Sequence, residues 1–246
     1  TNSAVAGSTI QQNLTNSSAI IGTVNYTVVP ITGVCTGMPI TVIAYINPIA
    51  VMTGLSPVNA CPGATLSPPA FSSLPQNSSY TWSNSNTNIG LNASGNGNIA
   101  SWVAPSNNTN VPIVGTVSVT PTYNGCVGSP SNFIINVYPT PSVTNSPLSQ
   151  IVCEGSPSVP VIFTSSLVNS TLSWSQANAG ANLSNFQLGS GTGTLPIMVI
   201  ANSGTTQQAV TYSVQATSNQ NCISSAVTYT ININPLPTVT LSPNQI

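Results

Sequence analysis

The sequence contains no lysine, no arginine and no histidine, and its 246 residues include one acidic side chain, Glu154. Globular chains ordinarily devote about a quarter of their residues to charge. Each absence closes a class of chemistry. Without His or Lys, no side-chain base can take a proton from a Ser or Cys nucleophile, and one carboxyl cannot form the acid pair of a glycosidase. No catalytic residue is therefore assigned. A metal site is not expected, because there is no His, no CxxC and only one carboxylate. The same lack rules out Lys–Asn isopeptide crosslinks and calcium-stiffened linkers. Nucleic acid and anionic lipid are excluded as partners, since both are held through Lys and Arg. Long apolar runs are missing too. The longest, Ile40 to Met52, is interrupted by Asn47 and Pro48 and falls short of the roughly 20 residues needed to span a bilayer. No cofactor is expected.

What is present is a hydrophobic share of 40% and an abundance of Val, Ile, Thr and Tyr, a composition that buries cores and does not belong to a disordered chain. Self-comparison shows repeats. Cys35, Cys126 and Cys222 lie 91 and 96 residues apart (126 − 35 and 222 − 126), and each is followed thirteen residues later by a proline: Pro48, Pro139 and Pro235. Cys61 precedes Trp82 by 21 residues and Cys153 precedes Trp174 by the same 21. Ser94-Gly95-Asn96-Gly97 matches Ser190-Gly191-Thr192-Gly193, with Gly7-Ser8-Thr9-Ile10 at the same point of an earlier copy. Residues 1–49 thus read as the C-terminal half of one repeat, 50–139 and 140–236 as complete repeats, and 237–246 as the opening strand of another, in a longer parent chain.

Alternation supplies the secondary structure. Val117-Ser118-Val119-Thr120, Val210-Thr211-Tyr212-Ser213-Val214 and Val227-Thr228-Tyr229-Thr230-Ile231 carry the period of two expected of half-buried strands. Asn124-Gly125 marks a tight turn between two of them. No segment has a helical period with caps. Short strands and closely spaced turns in repeats of roughly 90–96 residues predict an all-β protein of tandem Ig-like sandwiches.

The five cysteines fit one disulfide per repeat, Cys61 with Cys126 and Cys153 with Cys222, leaving Cys35 unpaired by truncation. Such bridges place the chain in an oxidising compartment. Trp82 and Trp174 occupy equivalent positions and are read as core. Trp102 has no counterpart in the other copies and is the candidate for an exposed contact. Eight Asn-x-Ser/Thr sequons, including Asn16 and Asn107, are attributed to composition.

The run Tyr80-Thr81-Trp82-Ser83-Asn84, then Ile89-Gly90-Leu91-Asn92-Ala93-Ser94-Gly95, then Val117-Ser118-Val119-Thr120-Pro121 and Asn124-Gly125-Cys126, resembles the PKD-like Ig-type repeats of very large Bacteroidota surface proteins. The resemblance implies a cell-surface or secreted fibre, like gliding-associated adhesins exported by the type IX route. Two features depart from it: about four extra residues within Gln176–Leu188, and a nearly complete absence of charge.

The function expected from these features is a structural segment of an extracellular fibre. Natural β-proteins guard sheet edges with Lys and stay apart through net charge. This chain has neither, so its expected partners are copies of itself. The alternatives are an adhesin or glycan-binding module on the cell surface, and an inert stalk.

Overall fold

The computed structural model describes residue 7 and residues 9–239. Most of the expected opening strand at 237–246, the first six residues of the half repeat expected at 1–49, and Ser8 of the Gly7–Ile10 marker lie outside the described residues. The fold class is all-β and Ig-like, with a single 3₁₀ turn at Thr87–Ile89 among the described residues. The chain forms two compact units. The first comprises the chain up to Val58 with Thr65–Trp102 and Val114–Asn136; the second comprises Asn59–Ala64, Val103–Ile113 and the chain from Val137.

Twelve strands make up the main sheets: β1 (Gly22–Val28), β2 (Ile40–Ile46), β3 (Val58–Ala60), β4 (Ser79–Asn84), β5 (Ser94–Asn96), β6 (Ile113–Tyr123), β7 (Ser131–Val137), β8 (Ser149–Cys153), β9 (Thr171–Ala179), β10 (Ser190–Thr192), β11 (Gln208–Thr217) and β12 (Val227–Asn234). Two sheets share one plan. The first runs β5-β4-β6-β7-β3 and the second β10-β9-β11-β12-β8. The registers agree as well: Trp82 lies between Gly95 and Val119, and Trp174 between Gly191 and Val214. The hairpin β1/β2 is a separate two-stranded sheet.

Alternation dictates the core. Along β11, Val210, Tyr212, Val214 and Ala216 are fully buried, because every second side chain faces the same side of the pleat. They pack with Phe163, Leu172, Trp174, Leu195, Ile200, Tyr229, Ile231 and Ile233. Edge-to-face contacts order the aromatic rings, with Phe163–Tyr229 centroids 5.7 Å apart. In the first sheet the same arithmetic buries Val117, Val119, Ile135 and Val137. The facing layers are short ladders rather than continuous sheets. Val161–Ile162 pairs with Thr194–Leu195, and Leu183–Ser184 with Ala201–Asn202.

Asn124-Gly125 closes the turn expected from the sequence: both residues have positive φ, 46° and 82°, and Tyr123 pairs across it with Cys126. The strand β8 pairs parallel to β12, Ser149 opposite Thr230 and Cys153 opposite Asn234. Glu154, whose backbone N–H donates to Asn234 O at 2.9 Å, continues that ladder.

The disulfide pattern differs from the expectation of one per repeat. Cys61 is bonded to Cys222, with Cα atoms 5.4 Å apart, and Cys35, Cys126 and Cys153 are free. The expected bridges Cys61–Cys126 and Cys153–Cys222 do not form. The parallel pairing of β8 is the reason. Cys153 sits at the end of β12 where that strand finishes, whereas Cys222 precedes the residue, Val227, where it starts. Seven strand steps separate those ends by about 24 Å, against the limit of about 7 Å between bridged Cα atoms. Cys61 and Cys126 are split in the same way. Ala60 O accepts from Tyr138 N, just beyond the C-terminal end of β7, and Cys126 lies before the start of that strand.

Candidate functional site

No group of three or more His, Cys, Asp or Glu is assembled among the described residues. The chemistry of the molecule lies in its repeated positions and its edges.

The Trp positions are built by glycine. A Cβ on Gly191 would overlap the Trp174 ring, and one on Gly95 would overlap Trp82. The ring lies flat over the neighbouring strand, and only glycine leaves it room. Trp174 is buried and its Nε1 donates to Thr194 O at 3.2 Å. Trp82 is half-buried, and its Nε1 is enclosed without a partner. Trp102 departs from the expectation of an exposed contact. It is partly buried, with its Nε1 donating to Ile89 O at 2.9 Å. The ladder of Trp102–Val103 with Thr65–Leu66 holds it there.

A third repeated position does not stand out in the sequence. Asn202 Nδ2 donates to Thr206 O at 3.0 Å and to Ile233 O at 2.9 Å, while its Oδ1 accepts from Gly204 N. Asn107 does the same with Val111 O and Val137 O, both at 2.9 Å, its Oδ1 accepting from Thr109 N and Oγ1. Asn16 does so with Ile20 O at 2.7 Å and Ile46 O at 2.8 Å, accepting from Ser18. In all three copies the amide spans a four-residue turn and ties it to the closing end of β2, β7 or β12. Asn16 and Asn107 are also sequon asparagines. Asn107, 1% exposed with both amide hydrogens engaged, is a structural clamp that leaves a glycosyl transferase no access.

The titratable groups of the core are phenols. Burial pushes the Tyr212 pKa up to about 12 and raises that of Tyr229. A phenol neutral in the fold but ionising near 10 in the unfolded chain adds stability that is intact below pH 10 and is lost as pH climbs from there through 12. Thermal denaturation followed across pH is therefore expected to be nearly flat at neutral pH and to drop between pH 10 and 12, with Tyr212→Phe removing much of the drop.

The surface carries exposed apolar side chains, and the single charged residue, Glu154, follows directly on β8 next to them. Val159, Ile162, Ile197 and Val199 are each more than half exposed on two segments that run antiparallel, Pro157 opposite Val199 and Val161 opposite Leu195. Gln150 of β8 fixes this ladder by holding Val159 through both its N–H and its C=O. The outer strand β8 exposes Ile151.

The two main sheets, with one strand order and one Trp/Gly register, define repeated domains of the Ig-like sandwich class. Residues 149–237 match the PKD-like domain family. No curated protein matches the chain. Among solved structures it is similar to extracellular cadherin domains 3–6 of protocadherin gamma B2, at 15% identity and a TM-score of 0.36 over 81% of this chain and 56% of that one. It is also similar to the extracellular domain of protocadherin gammaB4, at 14% and 0.36 over 80% and 37%. A third is the cis-dimer structure of protocadherin gammaB7 EC3–6, at 14% and 0.37 over 87% and 58%. The chain spans less than two thirds of the length of each.

Proposed function

We propose that this chain is a non-enzymatic, structural segment of an extracellular fibre, built from repeats at 50–139 and 140–236 and associating with its own kind through uncharged sheet edges and faces. The observation that supports this reading most is the Val159/Ile162/Ile197/Val199 ladder beside the bare outer strand β8. It combines exposed apolar area with the outer edge of a sheet, and no Lys, Arg or His guards it. Net charge of −1 gives copies almost nothing to repel one another with. Hydroxyl and amide side chains supply lateral hydrogen bonds in its place.

Electron microscopy of the purified chain at neutral pH is expected to show filaments or side-by-side bundles. Separate, monodisperse particles at all concentrations would sink the reading. Because so little of the surface is ionised, sedimentation in about 0.05 M and about 1 M salt should give nearly the same extent of association, in contrast to the steep screening of charged surfaces. Val159→Glu with Ile197→Glu, which sets like charges on the exposed ladder without entering the core, should reduce association and restore a salt dependence.

A further inference from the structure

We infer that the cysteines bond from repeat to repeat, the first cysteine of one repeat to the second cysteine of the next, so that Cys153, Cys126 and Cys35 are half-cystines awaiting a further repeat of this kind. Strand register sets the distances. The first cysteine of a repeat, Cys61 or Cys153, stands at the end where its last long strand finishes, beside Tyr138 or Asn234. The second, Cys126 or Cys222, stands in the turn where that strand begins. Roughly 20 to 25 Å of strand separates them, so no repeat can close its own bridge. In sequence, the bond that does form, Cys61–Cys222, leads from the first cysteine of 50–139 to the second cysteine of 140–236.

The unbonded cysteines occupy the equivalent positions. Cys153 corresponds to Cys61 and is exposed. Cys126 corresponds to Cys222, and in the first unit it lines an open groove with Asn16, Tyr45, Ile46 and Asn47. Those residues mark the closing end of β2, the strand that corresponds to β7, and Cys61 follows Ala60 at the closing end of β7. The groove therefore lies where the first cysteine of a preceding repeat would sit. Cys35, in the short Ile31–Thr36 turn, is the second cysteine of its own copy and is exposed.

The chemistry is thiol–disulfide exchange with a small disulfide oxidant such as oxidised glutathione. One Cys thiolate attacks the oxidant and releases a thiol, and the second thiolate displaces the other half. Two protein thiols lose two protons and two electrons, and one disulfide becomes two thiols.

The test uses the whole chain in a glutathione redox buffer, with free copies standing in for neighbouring repeats. Peptic digestion replaces tryptic, since trypsin has no site here. The expected result is an internal Cys61–Cys222 link together with covalent dimers in which Cys153 of one copy is joined to Cys35 or Cys126 of another. The dimers should disappear on reduction and in Cys153→Ser, a substitution at an exposed position. Internal Cys61–Cys126 or Cys153–Cys222 links would overturn the inference. So would dimers joined mainly Cys153 to Cys153, or a folded, Cys61–Cys222-bonded chain that forms no dimers at all. Lateral association through uncharged surfaces survives reductant, so the two proposals fail separately.

Discussion

Trp174→Ala is expected to destabilise the second unit by about 3–5 kcal/mol, the cost of emptying a buried indole site, as read from urea unfolding followed by circular dichroism. The ring is nearly inaccessible, meets Tyr212 edge-on at 5.7 Å and lies against Gly191. The surrounding strands cannot close the void, because both are fixed in register by their ladders. The two repeats provide a control. Trp174→Phe should cost more than its lost volume alone, since Thr194 O loses its donor. Trp82→Phe removes an N–H that has no partner and should cost under about 1 kcal/mol, because deleting an unsatisfied buried donor offsets the lost contacts. Equal losses at the two positions would refute this account of the sites. Gly191→Val tests the same contact from the other side and should be destabilising by about 1–3 kcal/mol through overpacking.

Asn202→Ala is the second large effect, about 2–4 kcal/mol. The change removes the side-chain donor to Thr206 O and to Ile233 O, which also faces Gln208 in the β11 ladder, and leaves Gly204 N without the Asn202 acceptor; each buried group left unpaired costs about 1–3 kcal/mol before relaxation and water offset some of it. Asn202→Asp should be no better, although it is isosteric. A carboxylate has no hydrogens to give the two carbonyls, and at 1% exposure it would bury a charge. Asn107→Asp carries the same consequence in the other copy. If both Asp variants unfold at the wild-type denaturant midpoint, the clamp is not a source of stability.

Much of the fold is legible in residue order. Alternation at Val210–Ala216 and Val227–Ile233 identifies strands because a pleat has period two, and the matched Trp and Gly-x-Gly positions identify a shared sheet plan. The failures have definite causes. Composition does not say whether β8 runs parallel or antiparallel to β12, and that choice decides at which end of the sandwich Cys153 stands. The cysteine partners are therefore not legible. The clamp is hidden by abundance: asparagines at 16, 107 and 202 keep the repeat spacing, yet so many others surround them that the interval does not stand out. Trp102 has no repeat counterpart, but lacking a counterpart does not make a side chain exposed. A two-residue ladder and one hydrogen bond to Ile89 are enough to bury it to some extent.

The parallel ladder of β8 and β12 also has a mechanical consequence. The chain enters the repeat along β8 and leaves it along β12 in the same direction, so tension along the chain pulls these strands past each other lengthwise. Their five registered pairs, Ser149–Thr230 to Cys153–Asn234, are then loaded in shear and must yield together. An antiparallel hairpin pulled from one end would instead unzip rung by rung. A repeat closed in this way resists stretching through its first and last strands, without a metal ion or a charged side chain.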